Sequence, residues 1–226
     1  MTLRDGIFII GAGGHGKVVA DILRAAGQPA GGPVVGFIDA DPSRTGQTVA
    51  GLPVLGPPNR LEHLARDYNA GRAVVAIGDN RARVELAAEI QRAGLELASA
   101  IHPSANLAGD ATLGRGVVVC LGASVGAEAS VGDLCIINTN ASVDHECLLH
   151  RGVHIAPGTA IAGRVEIGEE AFVGIGASVI QCRKIGPRAT VGAGAVVIRD
   201  VPADATVVGT PAVSIHDKRM LRIASA

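Results

Sequence analysis

The sequence predicts an α/β Rossmann-like half-fold over residues 1–98, followed by a parallel β-helix over residues 99–226. Near the N terminus, an apolar run meets a glycine-rich turn and then a helical pattern. In the second half, aliphatic residues recur at every sixth position. Aromatic residues make up only 2% of the chain, so its cores must be built from Val, Ile, Leu and Ala.

The N-terminal region alternates strand and helix patterns. Residues 7–10, 34–38 and 73–77 are short apolar runs typical of buried strands. Helical patterns follow at residues 18–23 and 83–93. Because strands that alternate with helices favour a parallel sheet, this region is interpreted as α/β.

Gly11, Gly13 and Gly16 form a GxGxxG pattern between the first strand and the first helix. Glycine lets the backbone approach a phosphate, and a helix N-terminus favours negative charge. A tight turn without a ligand is the alternative. The region is too short for the two mononucleotide units of a redox dinucleotide enzyme, so a single nucleotide is favoured. Asp39, 23 residues after Gly16, ends the second strand and is a candidate ligand of the ribose or base.

The period of six is unbroken from Ile101 to Val197, and all 17 of its positions carry Ile, Leu or Val. Such a period fits neither a helix nor a plain alternating strand. It predicts a prism in which short strands and tight turns give three faces, with coils of about 18 residues. The aliphatic residues then point inward and form one continuous column.

Composition and charge exclude several classes of function. The formal net charge is −1 and no basic run is present, so nucleic acid is not an expected partner. No apolar run approaches the roughly 18 residues of a membrane span. The first residues carry no signal-peptide pattern, so we expect a cytoplasmic protein without membrane association. No CxxC pair is present, and reduced thiols that serve as small side chains are expected at Cys120, Cys135, Cys147 and Cys182.

The six-residue period resembles that of the hexapeptide-repeat acyltransferases, whose prism is a left-handed parallel β-helix. Four further motifs resemble one subfamily: GAGGHGK at 11–17, FIDADP at 37–42, IGDNRAR at 77–83 and IHPSA at 101–105. This subfamily is the sialic acid O-acetyltransferase type of sugar acetyltransferase. The resemblance implies an N-acetyltransferase that uses acetyl-CoA, without a metal, on a nucleotide-linked amino sugar such as a UDP-4-amino-4,6-dideoxy sugar or GDP-perosamine.

The resemblance also implies a homotrimer whose active sites lie at subunit interfaces. It assigns nucleotide-sugar contacts to the glycine-rich turn, to an aspartate near the base or ribose, and to two asparagines: Gly11, Gly13, Gly14, His15, Gly16, Asp39, Asn80 and Asn138. It assigns CoA contacts to a histidine and to residues of the later coils: His154, Gly163, Ile175 and Ala193.

The segment NTNASVDHEC at 138–147 resembles the catalytic motif of the subfamily, whose general base matches His145. An amine must lose a proton as it attacks the thioester, and imidazole titrates close to working pH. A neighbouring carboxylate can hold the tautomer of the ring. Asp144 and Glu146 both flank the histidine, and the resemblance favours Glu146.

Residues 18 positions apart stack in one column of the predicted prism. Gly163 lies 18 residues after His145, so its N–H is expected one coil from the imidazole, where it can stabilise an oxyanion. Gly163→Pro removes this N–H and is therefore expected to slow the reaction far more than Gly163→Ala.

Other interpretations stay open. The acceptor can be a hydroxyl of sialic acid or another sugar, although a free sugar needs no pyrophosphate cradle. The prism can also be a non-catalytic scaffold. A metal site on His145, His150 and His154 is disfavoured, because spacings of five and four residues put them on different corners. Cys147 as an acyl carrier is not needed if transfer is direct in a ternary complex.

Overall fold

A computed structural model describes residues 5–27 and 32–216 and contains a six-stranded sheet with helices, followed by a β-helix. Residues 217–226, the last part of the predicted β-helix region, lie outside the described residues. The strands of the sheet are β1 (Gly6–Ile10), β2 (Val34–Ile38), β3 (Thr48–Val49), β4 (Leu52–Gly56), β5 (Ala70–Val75) and β6 (Glu96–Leu97). The helices are α1 (Gly14–Ala25), α2 (Leu61–Asp67) and α3 (Asn80–Arg92), with 3-10 turns at Pro42–Arg44 and Pro58–Arg60.

The sheet order is β3-β4-β2-β1-β5-β6, and its pairs are parallel except for β3 with β4. The α3 helix begins at Asn80 because the Asp79 side chain accepts a hydrogen bond from Ala82 N–H at 2.8 Å and caps it. β3, β4 and α2 were not predicted from the sequence, because such short elements carry no periodic signal. Within the described ranges, no helix is both long and apolar enough to cross a membrane.

From Ala100 onward, two-residue strands stack in three faces joined by short turns. The first face contains β7 (Ala100–Ile101), β10 (Val118–Val119), β13 (Ile136–Ile137), β16 (His154–Ile155), β19 (Phe172–Val173), β22 (Thr190–Val191), β24 (Thr206–Val208) and β25 (Val213–Ser214). The second face contains β8 (Asn106–Leu107), β11 (Ser124–Val125), β14 (Ser142–Val143), β17 (Ala160–Ile161), β20 (Ser178–Val179) and β23 (Val196–Val197). The third face contains β9 (Thr112–Leu113), β12 (Ser130–Val131), β15 (Leu148–Leu149), β18 (Glu166–Ile167) and β21 (Lys184–Ile185).

The register confirms the predicted coil length, because stacked strands pair residues 18 positions apart, as Val118 pairs with Ile136. Each of the 17 periodic aliphatic residues is the second residue of a strand and points into the prism. Fourteen of them are buried, and the three in the first coil are partly buried where the column ends. Full burial of such a side chain contributes roughly 1.5–3 kcal/mol, so this column stabilises the β-helix.

The α/β domain covers the first face of the β-helix. The outward residues Ala100, Val118 and Ile136 form one buried cluster with Val19 and Ile22 of α1. An apolar outer face on the first coils therefore fixes the orientation of the two parts, and it brings the glycine-rich turn above the first face.

Candidate active site

His145 lies at the corner between the second and third faces, in the turn from β14 to β15. Glu146 follows with a φ of 56°, in the left-handed region. Adjacent residues of a strand point to opposite sides. The left-handed backbone of this turn departs from that alternation, and Glu146 Oε2 therefore lies 2.9 Å from His145 Nδ1. The predicted preference for Glu146 over Asp144 agrees with this contact, because Asp144 Oδ1 accepts a hydrogen bond from the backbone N–H of His145 instead.

The tautomer of His145 follows from this contact. A carboxylate only accepts hydrogen bonds, so in the neutral form of the ring Nδ1 carries the proton and Nε2 has the lone pair. Nε2 faces Gly163 in the next coil, where a Cβ would overlap the ring. No group among the described residues accepts a hydrogen bond from Gly163 N–H. A free lone pair and a free N–H therefore lie at the same corner.

The same packing bears on the predicted difference between Gly163→Pro and Gly163→Ala, because alanine is not a neutral replacement at this position. The added methyl group would occupy the space of the His145 imidazole. Since the His145 side chain is 50% exposed, the ring has room to move aside and would leave its position. A substitution at Gly163 therefore tests crowding as well as the N–H.

Arg164 reaches the same carboxylate from the next coil. Its Nε donates to Glu146 Oε2 at 2.9 Å. Hydrogen bonds from His145 and then from Arg164 hold the pKa of Glu146 below its ordinary value. Glu146 is thus an anion that stabilises the imidazolium formed when Nε2 accepts a proton. Arg164 was not predicted as part of the site, although its position 18 residues after Glu146 was a usable signal.

His154 lies on the first face, beneath the α/β domain, and is only 8% exposed. Its Nε2 is 3.1 Å from Asn138 Nδ2, and its Nδ1 is 3.4 Å from the Gly78 carbonyl oxygen. Asn138 Oδ1 accepts a hydrogen bond from Thr139 N–H, which leaves Nδ2 as the donor to the ring. His154 therefore carries its proton on Nδ1 and is uncharged.

His15, in the first turn of α1, faces the same cluster, with its ring centroid 6.5 Å from that of His154. Burial, and after it the charge of Arg83, lowers the pKa of both histidines to about 4. The Nε2 atom of His15 is buried and has no hydrogen-bond partner among the described residues. Because an unpaired buried polar atom is costly, a group of a bound ligand is its expected partner.

The glycines of the turn are of two kinds. Gly11 has a φ of 106°, and a Cβ at Gly16 would run into the Gly11 carbonyl, so the fold itself requires both. A Cβ at Gly13 or Gly14 would meet no atom within 4 Å. The open space over these two positions is consistent with a ligand close to the backbone.

Asp39 and Asn80 both form hydrogen bonds within the chain. Asp39 Oδ2 accepts from Ala12 N–H at 2.7 Å, and its Oδ1 accepts from Asp41 N–H at 2.9 Å, which braces the glycine-rich turn. Asn80 Nδ2 donates to the Glu170 carbonyl at 2.8 Å and joins the two domains. Their predicted contacts with a nucleotide sugar stay predictions.

The predicted CoA contacts lie at three places. Gly163 is at the His145 corner, and His154 is beneath the α/β domain. Ile175, which is 60% exposed, and Ala193 occupy the same position on successive coils, at the corner between the first and second faces. A groove of about 600 Å³ runs along the second face and reaches Asp144. Its floor carries the small residues Ser124, Ser142, Ala160 and Ser178.

One chain does not bring all the predicted site residues together. His145 and Glu146 lie beyond the second face, at its corner with the third. Asn138 and His154 lie on the other side of the second face, with His15 beside them. The second face therefore separates the predicted catalytic pair from Asn138 and His15, which are predicted to bind the acceptor, and from His154, which is predicted to bind CoA.

The candidate thiol and the candidate metal ligands have separate surroundings. Cys147 is buried in the aliphatic column, and burial raises the pKa of its thiol. His150 Nε2 lies 3.3 Å from Glu166 Oε1 on the third face. His145 instead contacts Glu146, and His154 contacts Asn138, at other positions around the coil. Among the described residues, no three ligating side chains converge on a metal position.

Sequence comparison relates parts of the chain to known proteins. Residues 6–90 match the family described as the PglD N-terminal domain. The chain is 34% identical over 113 residues to a serine acetyltransferase from Synechococcus elongatus, a match that covers 49% of this chain and 40% of that protein. The chain thus spans less than half the length of this curated relative.

Solved structures resemble nearly the whole chain. A mutant of perosamine N-acetyltransferase from Caulobacter crescentus, in complex with CoA and GDP-perosamine, is 44% identical with a TM-score of 0.88, covering 94% of this chain and 97% of that one. The acetyltransferase domain of PglB from Neisseria gonorrhoeae, in complex with acetyl-CoA, is 39% identical with a TM-score of 0.85, covering 93% and 99%. WeeI from Acinetobacter baumannii is 26% identical with a TM-score of 0.80, covering 92% and 99%. These matches confirm the predicted fold, a Rossmann-like half-fold followed by a left-handed parallel β-helix.

Proposed function

We propose that this chain, which belongs to the sugar acetyltransferases of the hexapeptide-repeat family, transfers the acetyl group of acetyl-CoA to the amino group of a nucleotide-linked amino sugar. The observation that carries the proposal is the 2.9 Å contact between His145 and Glu146, which leaves Nε2 unprotonated at Gly163. The similar perosamine N-acetyltransferase, complexed with CoA and GDP-perosamine, supports the choice of both substrates.

The transfer is direct. The amine nitrogen attacks the thioester carbonyl carbon and loses a proton to His145 Nε2. The negative charge that develops on the carbonyl oxygen is stabilised by the Gly163 N–H. Collapse of the tetrahedral intermediate breaks the C–S bond, and the departing CoA thiolate takes the proton from the imidazolium. Glu146 orients the ring and stabilises its charge between the two proton transfers.

The nucleotide sugar binds to the glycine-rich turn through its diphosphate. The open space over Gly13 and Gly14, and the N-terminus of α1 behind them, suit an anion close to the backbone. The unpaired Nε2 of His15 is a further contact for the substrate. CoA lies along the groove of the second face, whose small side chains leave room for the pantetheine arm and lead towards His145.

A complete site forms between two copies of the chain in a homotrimer. The second face separates His145 from Asn138 and His154, so a neighbouring prism supplies one of the two groups. The test mixes His145→Ala with the double variant Asn138→Ala/His154→Ala and lets the chains exchange. A mixed trimer then contains a site with both groups intact, and thiol release should recover. Activity no higher than in either variant alone would contradict a shared site.

The function is tested by thiol release from acetyl-CoA, with GDP-perosamine and with UDP-4-amino-4,6-dideoxy sugars as acceptors. We expect turnover with one nucleotide, which then identifies the base. His145→Ala should abolish it, whereas His150→Ala, which removes a second carboxylate-paired histidine on the third face, should not. Turnover of an unlinked sugar only, or equal activity in His145→Ala, would refute the proposal.

A further inference from the structure

Arg83 is a charged side chain that is fully buried, at 0% exposure, and outside the proposed chemistry. Its guanidinium bonds only to uncharged oxygens among the described residues. Nε donates to the Leu134 carbonyl at 2.8 Å, and Nη2 donates to the Gly152 carbonyl at 2.7 Å. Nη1 donates to the Ile77 carbonyl at 2.9 Å, and Nη2 also donates to Asn80 Oδ1 at 2.8 Å. A buried cation without a carboxylate is unusual and calls for a reason.

The partners of Arg83 belong to both domains. Ile77 and Asn80 belong to the segment that joins β5 to α3, in the α/β domain. Leu134 and Gly152 are 18 residues apart, so they occupy the same position on successive coils of the β-helix. The planar guanidinium thus spans two coils and one turn, which a lysine ammonium cannot do because it is a single point charge.

Resting on the proposed function, we propose that Arg83 is a positioning residue of the acceptor site. It holds the turn at residues 77–80 against the β-helix, so that His154 and Asn138 face the glycine-rich turn in one geometry.

The connection to the site runs through one carbonyl. The Gly78 oxygen lies 3.3 Å from Arg83 Nη1 and 3.4 Å from His154 Nδ1, so both groups donate to it. The other ring nitrogen of His154 then accepts a hydrogen bond from Asn138 Nδ2 at 3.1 Å. A shift of the Gly78 turn would therefore change the orientation of His154 and, through it, of Asn138.

The charge of Arg83 also acts on the rings. The titratable groups around this cluster are His15 on α1, Asp79 before α3, and Cys135 and Glu170 on the β-helix. Burial lowers the pKa of Arg83 to about 10, which leaves it charged at neutral pH. Its charge adds to burial in lowering the pKa of His154, so a neutral replacement should let this ring protonate at a higher pH.

The test compares Arg83→Met, which removes charge and donors, with Arg83→Lys, which retains the charge but not the planar set of donors that spans the two domains. Arg81→Met is the matched control, because Arg81 lies on the same helix but is exposed, and its Nε donates to the exposed Glu85. We expect kcat/KM for the nucleotide sugar to fall about 100-fold in Arg83→Met, since a misplacement near 1 Å costs that much. KM for acetyl-CoA should change far less, because His154 alone of the predicted CoA contacts lies beside Arg83, whereas the groove of the second face is lined by other residues.

Nitrogen NMR of the histidines, recorded without substrate, separates positioning from general damage. In the wild type, His154 should be the neutral Nδ1–H tautomer down to about pH 5. Arg83→Met should raise the pH at which it titrates, and Arg83→Lys should largely restore it without restoring kcat/KM. Thermal unfolding of each variant shows whether it is folded. If neither variant folds, the tautomer of His154 in the wild type alone decides whether the proposed positioning holds.

An Nε2–H tautomer, or unchanged kinetics and titration in a folded Arg83→Met, would overturn the positioning role. A wild type that acetylates no nucleotide sugar would instead overturn the proposed function. In that case the tautomer and the titration still test what Arg83 holds in place, since neither measurement needs turnover.

Discussion

His145 and His154 are nine residues apart, yet their environments are opposite. The His145 side chain is half exposed and bonds to an anionic carboxylate. His154 is buried, and its ring nitrogens face an amide N–H and a carbonyl oxygen. The first environment suits a ring that gains and loses a proton, whereas the second keeps a ring neutral. Position on the prism, rather than residue type, therefore decides the chemistry of each histidine.

The β-helix geometry explains the difference. His145 is in a turn, where the left-handed φ of Glu146 lets two neighbouring side chains meet. His154 is in a strand of the face that the α/β domain covers, and Arg83 adds a buried positive charge beside it. One coil thus presents a half-exposed histidine beside an anion at a corner and a buried, neutral histidine on a face.

The largest expected effect concerns the buried rings and is a loss of stability in acid. In the unfolded chain a histidine binds its proton near pH 6.5, whereas burial lowers the pKa of His15 and His154 in the fold to about 4. The unfolded state therefore binds more protons between these values, and the free energy of unfolding falls as pH decreases from about 6.5 to about 4. Each ring accounts for up to about 3 kcal/mol of this fall.

Urea unfolding at several pH values measures this slope. The double variant His15→Asn/His154→Asn should have a much flatter slope between pH 6.5 and 4 than the wild type. An unchanged slope would mean that the two rings are not held neutral, and the contrast with His145 would disappear.

The next effect concerns the exposed corner. Gly163→Ala should lower kcat about 100-fold, because its methyl group displaces the His145 ring from its working position. The control is Gly109→Ala in the same column, where a Cβ would meet no atom within 4 Å and kcat should be unchanged. Equal kcat values for the two variants, in the thiol-release assay, would show that Gly163 does not hold the ring.

A smaller effect is expected from neutralising the carboxylate at this corner. Glu146→Gln can still accept a hydrogen bond from Nδ1 but no longer stabilises the imidazolium, so kcat should fall about tenfold. Asp144→Asn is the matched control, because it retains the acceptor for the His145 backbone N–H and should change little. A larger loss in the Asp144 variant would reverse the roles of the two carboxylates.

The smallest effect should come from the buried thiol beside the corner. Burial raises the pKa of Cys147, which keeps it protonated and a poor nucleophile. Cys147→Ala should therefore retain turnover within about twofold of the wild type. Complete loss of turnover in a folded variant, or a burst of thiol release before the acceptor is added, would argue for an acyl-cysteine instead of direct transfer.

The sequence by itself determined the β-helix and placed Gly163 at the corner that carries His145. Inward aliphatic residues must recur wherever a strand passes the core, so the period of six specified the strands, their register and the column from Ile101 to Val197. Adjacency left Asp144 and Glu146 as equal candidates to pair with His145, and the family resemblance favoured Glu146, whereas the 18-residue coil predicted Gly163 beside the ring. These contacts are local along the chain or repeat with the coil.

Only the tertiary structure decided the surroundings of His154, the interdomain contacts of Asn80 and the burial of Arg83. Arg83 meets Leu134 and Gly152 across 51 and 69 residues, and Asn80 meets Glu170 across 90. The six-residue period does not predict how the two domains pack, because that packing depends on the fit between α1 and the apolar outer face of the first coils. Such contacts follow from the packing of two separately folded surfaces, and no local pattern in the chain records them.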